Sequence, residues 1–252
     1  MKIISWNVNG IRAAANKGFS DWLIRTQPDI LCVQETKAHP GQLSGELTAP
    51  KGYRSAWVSA KRKGYSGCAV YYKNDFLTVN PLGIDTFDDE GRVQLLERDE
   101  FTLINAYFPN SQDAGKRLDY KLAFCNAVLK KCNALVKAGK NVIICGDFNI
   151  AHTPIDLARP KQNEENPGYL PEEREWMTGF LKNGYVDTFR MFNQEGGNYS
   201  WWSYRMNARA KNVGWRIDYF CVNEAFRSKV KNAFILDEVT GSDHCPVGIE
   251  VK

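Results

Sequence analysis

Carboxylate, amide and imidazole side chains follow one apolar segment after another along this chain of 252 residues. Each taken alone has an ordinary explanation, because Asp and Asn are common turn formers. Their repetition favours a functional site instead, since strand ends carry loops that gather side chains into one cleft. The residues are Asn7, Asn9, Gln34, Glu35, Tyr107, Asn110, Asp147, Asn149, Asp218, Asp243 and His244.

Oxygen donors dominate this set, and oxygen is the ligand that a hard divalent cation prefers. Glu35, Asp147 and Asp243 offer carboxylates, while Asn7 and Asn149 offer amides. Mg²⁺ takes few carboxylates beside water and phosphate oxygens, so these residues cannot all be direct ligands. The chain has three histidines and no Cys-x-x-Cys pair, which argues against zinc. We therefore predict a Mg²⁺ site, in which Mn²⁺ could substitute.

His244 is the side chain of the set whose ordinary pKa suits acid–base chemistry near neutral pH. Asp218 could hold its other ring nitrogen and fix the tautomer, as carboxylates do in other hydrolases. A structural histidine that caps a turn explains a lone His equally well. Its neighbours Asp243 and Pro246 favour the functional interpretation, in which water attacks a phosphodiester beside a metal ion.

Short segments rich in β-branched and aromatic residues predict the strands that must position this set. They cover residues 3–8, 30–34, 68–72, 94–96, 103–107, 142–145, 217–222 and 247–251. The fourth and fifth of these segments, separated by a short polar turn, are expected to pair as an antiparallel hairpin.

Three helices are predicted between the strands. An apolar stripe over residues 118–136 indicates a helix that Gly139 ends. A second helix is predicted over residues 171–183, with acidic residues at its N-terminal end, and a third over 19–26 with Ser20 as N-cap. Helices that alternate with strands and a hairpin predict an α/β fold of two packed mixed β-sheets flanked by helices.

Composition places few limits on function. The net charge of +4 and the 43% hydrophobic residues are ordinary for a soluble enzyme and do not by themselves indicate nucleic acid. Seven cysteines without a Cys-x-x-Cys pair are expected to be reduced core residues. No targeting segment or membrane span is visible. We expect a single catalytic domain over residues 1–252, monomeric and cytoplasmic, with no membrane partner.

Six motifs resemble, in order, those of the exonuclease III family of apurinic/apyrimidinic endonucleases, within the DNase I-like superfamily. They are Trp6-Asn-Val-Asn-Gly10, Gln34-Glu-Thr36, Ala106-Tyr-Phe-Pro-Asn110, Gly146-Asp-Phe-Asn149, Asn212-Val-Gly-Trp-Arg-Ile-Asp218 and Gly241-Ser-Asp-His244. Gly-Asp-x-Asn and Ser-Asp-His also occur in inositol polyphosphate phosphatases and sphingomyelinases. The combination is specific to the DNA-repair branch, and the resemblance covers essentially the whole chain.

The resemblance implies a four-layer α/β sandwich that binds Mg²⁺ at one edge and cuts DNA. Glu35 would be the main metal ligand, and Asp243 would assist the metal directly or from behind. Asn7, Asn149 and His244 would hold the scissile phosphate next to the metal.

The remaining catalytic roles follow from the same resemblance. Asp147 would orient or deprotonate the attacking water, and Tyr107 would contact the phosphate or the leaving group. Asp218 would support His244. Whether Asp147 or His244 is the base stays open at this point. The extra charge on the pentavalent phosphorus would be stabilised by the metal and by preset hydrogen-bond donors.

Substrate choice would come from an aromatic cluster. Trp201, Trp215 and Ile217 match the family positions that line a small apolar pocket, although aromatic residues more often simply fill a core. Such a pocket would accept a flipped-out base-less deoxyribose and exclude a nucleotide that keeps its base.

Amides and basic residues near that cluster are expected to contact DNA. Asn110, Asn163, Asn166 and Arg205 fall on DNA-contacting family positions, as the resemblance implies. Arg205, Arg209, Lys211 and Arg216 are expected to engage phosphates in a salt-sensitive way, although basic residues commonly just solvate a loop. The chain departs from the family at Asn9, Asp113 and Arg205, where some members carry Asp, Arg and Met. The differences at Asp113 and Arg205 would change how the protein contacts the DNA double helix.

The predicted function is hydrolysis of DNA on the 5′ side of abasic sites, with 3′-phosphodiesterase or 3′→5′ exonuclease activity at blocked 3′ ends. Two alternatives remain. A phosphatase or lipid phosphodiesterase of the same fold would use the same metal site. A non-catalytic binder of damaged DNA would need no intact catalytic residues, and the chain retains them all.

Overall fold

Strands and short helices alternate along the chain in the computed structural model, which describes residues 1–74, 76 and 78–252. The strands in this part are β1 Lys2–Asn7, β2 Ile30–Gln34, β3 Arg54–Val58, β4 Cys68–Tyr72, β5 Thr78–Asn80, β6 Val93–Glu97, β7 Thr102–Tyr107, β8 Val142–Asp147, β9 Tyr185–Asp187, β10 Asp218–Asn223, β11 Val230–Ile235 and β12 Val247–Val251. The α-helices are α1 Ile11–Ala15, α2 Phe19–Thr26, α3 Gly45–Thr48, α4 Asp85–Asp88, α5 Leu118–Lys137, α6 Pro171–Lys182 and α7 Thr188–Phe192.

The strands form two six-stranded sheets, ordered β11-β12-β1-β2-β4-β3 and β5-β6-β7-β8-β10-β9. Each sheet contains one parallel pair, β1–β2 in the first and β7–β8 in the second. The other pairs between described strands are antiparallel, the predicted β6–β7 hairpin among them. Both sheets are therefore mixed, as predicted.

A shared apolar layer joins the two sheets. Ile3 and Ile30 of the first sheet pack with Leu103, Ile143 and Phe220 of the second, and all five are at most 3% exposed. Burial of apolar surface on this scale is the main stabilising contribution to such a sandwich.

Helices cover the outer faces of the sheets. Phe19 and Leu23 of α2 pack on the first sheet, while Phe124 of α5 and Met177 of α6 pack on the second. Helix, sheet, sheet and helix make four layers, so the prediction of two packed mixed sheets flanked by helices is confirmed.

A series of hydrogen bonds between buried polar side chains crosses the layer between the sheets and begins at Gln34, in the Gln34-Glu-Thr36 motif. The Gln34 amide donates to Ser5 Oγ at 2.9 Å and to Asn105 Oδ1 at 2.7 Å. Asn105 in turn donates to Gln94 Oε1 at 2.9 Å. Leaving a buried amide unpaired is costly, so this series of hydrogen bonds favours one relative placement of the sheets.

Most predicted elements are confirmed, with ends that differ by one or two residues. The prediction of Ser20 as N-cap is wrong, because α2 begins at Phe19 and its N-cap is Gly18 in the left-handed conformation. Strands β3, β5, β9 and β11, which form the four edges of the two sheets, were not predicted, since edge strands are short or keep polar, partly exposed residues that blur the alternation. The seven cysteines all lie in the described part of the chain, buried and without disulfide bonds.

Candidate active site

The site lies where the carboxyl ends of four central strands meet at one edge of the sandwich. Asn7 ends β1 and Glu35 follows β2, its parallel neighbour. Tyr107 and Asp147 are aligned at the ends of the parallel strands β7 and β8. Asp218 begins β10 directly opposite Asp147. The pairing register alone therefore brings residues far apart in the sequence to one edge.

Two backbone features support this convergence. An added Cβ at Gly146 would lie 1.8 Å from the carbonyl oxygen of Ala106, so only glycine lets β7 and β8 approach here. Asn9, Glu35 and Asn149 adopt left-handed backbone conformations, with φ of 47°, 57° and 51°. Such conformations are unfavourable for residues with side chains and cluster at functional sites.

Asp147 is the centre of the hydrogen-bond network. Its Oδ2 accepts from the side-chain amides of Asn7 at 2.9 Å and Asn149 at 3.0 Å, and its Oδ1 accepts from the Asn149 backbone N–H. Asn7 also donates to Glu35 Oε2 at 3.1 Å, which links the two carboxylates. Burial, opposed by the charge of His244, raises the pKa of Asp147 to about 7.

His244 lies between two carboxylates. Its Nδ1 is 2.8 Å from Asp218 Oδ2, and its Nε2 faces Asp147 Oδ2 at 3.8 Å. Burial alone would lower the pKa of His244, but the charges of Asp218 and Asp147 outweigh it and raise the pKa to about 10. Ser200 Oγ donates to the same Asp218 oxygen at 2.6 Å and holds that carboxylate in place. The two carboxylates therefore favour the charged form of the imidazole.

Tyr107 is held as a protonated phenol. Burial and the charge of Glu35 raise its pKa well above the usual value, although Arg92 opposes them. The Arg92 guanidinium lies 4.7 Å from the centre of the Tyr107 ring and donates to the Tyr107 carbonyl at 3.1 Å. The phenol is thus a fixed hydrogen-bond donor beside Glu35.

The donor set fits a divalent cation. The Lys37 ammonium lies 2.8 Å from Glu35 Oε1 and donates to Asn9 Oδ1 at 2.5 Å, so these oxygens already attract a positive charge. Ligand atoms of Asp147, Asp218 and His244 also lie within 4.8 Å of one another. We interpret Asp218 and His244 primarily as a hydrogen-bonded pair and not as metal ligands, because Asp218 Oδ2 and His244 Nδ1 are bonded to each other.

Asp243 connects the acid–base residues to the aromatic wall. Its Oδ1 accepts from the Asn9 amide at 2.9 Å, and its Oδ2 accepts from the Trp201 indole N–H at 3.1 Å. Both oxygens are therefore engaged by protein donors. Isolated antiparallel β-bridges also join Trp201 to His244 and to Trp215. The backbone of Trp201 therefore connects His244 directly to the aromatic wall, which consists of Trp201, Trp215 and Ile217.

A cleft of about 260 Å³ opens over these residues. It is lined by Asn9, Glu35, Tyr107, Asn110, Asp147, Asn149, Asn166, Pro167, Gly168, Trp201, Trp215, Ile217, Asp243 and His244. Trp201 and Trp215 meet edge to face, with ring centres 6.2 Å apart. Two neighbouring aromatic residues do not line the cleft, since Trp202 is buried and Tyr204 is exposed.

Four of the residues to which the family resemblance assigns a role do not line the cleft. Asn7 and Asp218 lie directly beneath it, where they hold Glu35, Asp147 and His244 by the hydrogen bonds described above. The other two are Asn163, which lies in a loop, and Arg205, which begins a short 3-10 helix. The Asn163 amide donates to the backbone carbonyls of residues 158 and 159, and Arg205 is exposed.

Pro167 and Gly168 were not predicted as site residues. An Asn-Pro-Gly sequence at 166–168 is a turn signal, but nothing in it indicates which surface the turn faces.

Two of the predicted phosphate-binding arginines have other roles. The prediction for Arg216 is wrong, because this residue is 1% exposed and pairs with Asp156 and Asp187, each at 2.8 Å. Arg209 lies over the Trp202 ring and donates to backbone carbonyls of residues 237, 239 and 242. The sequence does not indicate whether a basic residue among aromatic residues is buried. In the fold, Arg216 and Arg209 bond to other parts of the protein.

The Arg216–Asp156 pair predicts a specific acid sensitivity. Burial would raise the pKa of Asp156, but Arg216 and Arg190 outweigh it and lower the pKa to about 2. Because that value lies below the ordinary 3.8, the ionised carboxylate contributes stability above about pH 4 that is lost as the pH falls towards 2. We expect Asp156→Asn to lower the free energy of unfolding by about 2–3 kcal/mol at pH 7.

Urea unfolding followed by tryptophan fluorescence at several pH values measures this contribution. The difference between wild type and Asp156→Asn should shrink between pH 4 and pH 2.5. A difference that stays the same over this range would show that the ion pair does not stabilise the fold.

Comparison with known proteins agrees with the geometry of the site. A family model described as the endonuclease/exonuclease/phosphatase family matches residues 4–244. The chain is 45% identical to an exodeoxyribonuclease of Bacillus subtilis over the full length of both proteins. It is 42% identical to a DNA-(apurinic or apyrimidinic site) endonuclease of Dictyostelium discoideum, with 100% of this chain and 70% of the relative aligned.

A solved structure gives the same result for the fold. The AP endonuclease of Leishmania major superposes with a TM-score of 0.88 at 30% sequence identity, covering 98% of this chain and 86% of that one. The match extends over both sheets and the strand ends that carry the site. The chain belongs to the endonuclease/exonuclease/phosphatase family.

Proposed function

We propose that the protein hydrolyses the DNA backbone on the 5′ side of abasic sites, with further activity on blocked 3′ ends as a 3′-phosphodiesterase or 3′→5′ exonuclease. The observation that carries the proposal is the cleft, in which a buried acid–base set adjoins an apolar wall of Trp201, Trp215 and Ile217. Its relatives include an exodeoxyribonuclease and an apurinic-site endonuclease, which supports DNA as the substrate.

The acid–base roles follow from the hydrogen bonds. The two carboxylates that face His244 raise its pKa and favour its charged form, which supports a role in which it offers positive charge and an N–H to the phosphate. Asp147, whose orientation is fixed by Asn7 and Asn149, is the group that orients water and accepts its proton. Of the two candidates for the base, this geometry favours Asp147. The Tyr107 phenol supplies a further donor to the phosphate or to the departing 3′ oxygen.

The metal ion would be held chiefly by Glu35, with Asp147 and the amides of Asn7 and Asn149 around it. We propose Mg²⁺ because the donors are oxygens, and Mn²⁺ as a substitute. When bound, such an ion supplies positive charge that offsets the extra charge on phosphorus. Asp243, whose oxygens accept from Asn9 and Trp201, positions the aromatic wall relative to this metal site.

The apolar wall would select the lesion. A sugar without its base fits against the indole edges, whereas a nucleotide with its base requires more space and a larger unstacking cost. Asn110 and Asn166 line the same cleft, and DNA phosphates could reach the partly exposed Asn163 and the exposed Arg205.

Trp215→Leu is expected to weaken lesion selectivity. Removing the indole leaves the pocket wider and less able to hold the abasic sugar. The ratio of incision at a tetrahydrofuran lesion to digestion of undamaged duplex should therefore fall by about tenfold or more. Trp57→Leu in β3 is the matched control, since it removes a partly buried tryptophan far from the cleft. Equal ratios in the two variants would contradict the assignment of the wall.

The experiment that tests the function is a substrate comparison with purified protein. A duplex with one tetrahydrofuran lesion should be incised at millimolar Mg²⁺ and should not be incised in excess chelator. Greater activity on inositol phosphates would instead favour the phosphatase alternative. Absence of cleavage by clean protein would contradict the proposal, as would full biological function in Glu35→Ala, which is the behaviour of a non-catalytic binder.

Three organisational proposals accompany this function. Residues 1–252 form one catalytic domain, the protein acts as a monomer, and it works in the cytoplasm on chromosomal DNA. Among the described residues, no helix combines the length and the apolar character that crossing a membrane requires. Sedimentation at several concentrations tests the monomer.

A further inference from the structure

Glu173 lies behind the cleft and is the meeting point of several segments. Its side chain is 0% exposed and forms an ion pair with Lys121, also 0% exposed, at 2.6 Å. The same carboxylate accepts from Ser111 Oγ at 2.8 Å and from the backbone N–H groups of Gly168 at 2.7 Å and Leu170 at 3.0 Å. Four donors from three different parts of the chain therefore share one buried carboxylate.

Each donor belongs to a segment beside the cleft or, in the case of Lys121 in α5, is bonded to a residue that lines it. Ser111 follows Asn110, and Asn110 donates to Asn149 Oδ1 at 3.1 Å. Lys121 also donates to the backbone carbonyl of Asn149, the last residue of the Gly146-Asp-Phe-Asn149 motif, at 2.6 Å. The pair thus holds both amides on the phosphate side of the cleft.

The third segment is the turn that forms the floor of the aromatic pocket. Gly168 has φ of +92°, and a Cβ there would lie 3.3 Å from the Trp215 ring and 3.2 Å from the Asn149 carbonyl oxygen. Its own carbonyl accepts from the N–H of Ala151 at 2.8 Å. The turn is therefore in close contact with both the phosphate side and the lesion side, and Glu173 sets its position.

We propose that Glu173, acting with Lys121, is a positioning residue for the reaction, which aligns the Asn110–Asn149 amides and the 166–170 turn. The inference rests on the proposed function. A purely structural role is the competing explanation, since Glu173 also caps the N-terminus of α6. Buried ion pairs are often no more stabilising than an apolar pair of similar volume, so fold stability alone is a weak reason for this one.

Glu173→Gln separates the two explanations. Gln keeps the volume but places an NH₂ group towards one of the present donors, so the loops must shift. We expect kcat at a tetrahydrofuran lesion to fall by about 10–100-fold, since small displacements of catalytic groups have effects of this size. The dissociation constant for the same duplex in chelator should change by less than about threefold, because remote phosphate contacts supply most of the affinity.

Met177→Ala is the matched control, because Met177 lies on the same helix, is fully buried and does not touch the cleft. It should lower the unfolding midpoint without a comparable loss of kcat. Amide hydrogen exchange over residues 166–170 gives a readout without turnover. Exchange there should accelerate in Glu173→Gln and not in Met177→Ala. A failure of the proposed function and a failure of this inference therefore give different results.

Ser111→Ala is the milder variant if Glu173→Gln does not fold. It removes one donor and keeps the ion pair, and we expect kcat to fall by about threefold to tenfold. The inference would be overturned if Glu173→Gln or Ser111→Ala lost no more kcat than its loss of stability explains. Met177→Ala gives the reference for that relation between stability and kcat. Unchanged exchange at residues 166–170 would overturn it as well.

Discussion

Asp147→Asn is expected to lower kcat for incision at an abasic site by about 10²–10⁴-fold, the contribution of a positioned general base. Asn has the same shape and can still accept one hydrogen bond from Asn7 or Asn149. It cannot take a proton from water, and it removes one of the two negative charges that face His244. Affinity for DNA should be unchanged or higher, because a negative charge near the phosphate is lost.

Single-turnover kinetics on a tetrahydrofuran duplex, combined with equilibrium binding in chelator, separate these effects. Asp88→Asn is the control, since the Asp88 carboxylate accepts from backbone N–H groups of residues 82–84 beside α4, away from the cleft. It should leave kcat within about twofold, because the hydrogen bonds that it changes do not involve any residue of the cleft. A kcat for Asp147→Asn within tenfold of wild type would contradict the role of this residue as the base.

Asp218→Asn is expected to have an effect of similar size through a different route. The Asp218 carboxylate receives His244 Nδ1 and Ser200 Oγ on one oxygen and keeps the imidazole charged and oriented. An amide there removes the charge and can present an N–H to the ring. In a hydrolase with a comparable carboxylate–histidine pair, the same change costs about 10⁴-fold in kcat, and we expect about 10²–10⁴-fold here.

The pKa of His244 gives a second readout that a general loss of structure would not produce. It should fall towards the ordinary value in Asp218→Asn, because the largest charge that raises it is gone. NMR titration of the imidazole checks this directly. Ser200→Ala keeps that charge and should lower kcat by only about threefold to tenfold. An unchanged His244 titration in Asp218→Asn, with kcat near wild type, would contradict the proposed pair.

The sequence predicts the centre of the site better than its surroundings. Asn7, Glu35 and Asp147 stand at or just after the ends of strands whose apolar patterns are clear, and His244 shortly precedes β12. Types and order of these residues also indicate oxygen ligation and acid–base chemistry. The pairing of His244 with Asp218 is predicted as well, because both precede or begin a recognisable strand.

The supporting contacts could not be predicted in the same way. Glu173 meets Ser111 and Lys121 across 62 and 52 residues of sequence, and no local pattern indicates that these three side chains converge. Arg216 looks like a surface phosphate ligand until the fold places Asp156 and Asp187 around it. Both cases depend on long-range packing, which decides whether a charged residue faces solvent or a buried partner.

The surroundings of the two candidates for the base support our proposal that Asp147, and not His244, has this role. Sequence alone gives His244 the more suitable ordinary pKa. In the fold, the carboxylates of Asp218 and Asp147 raise the pKa of His244 and favour its charged form, and burial raises the pKa of Asp147 above the ordinary carboxylate value. The reversal has a simple cause, since the environment of each group shifts its pKa by more than the difference between residue types.

Analysis of the products from a duplex with one tetrahydrofuran lesion tests the central claim most directly. Water attack on the phosphorus 5′ to the lesion breaks the bond to the upstream 3′ oxygen. Mass spectrometry should therefore find an upstream fragment that ends in a 3′-hydroxyl and a downstream fragment that carries a 5′-phosphate on the base-less sugar, in equal amounts and only with Mg²⁺ or Mn²⁺. Cleavage on the 3′ side of the lesion, or release of inorganic phosphate without a backbone cut, would contradict the account.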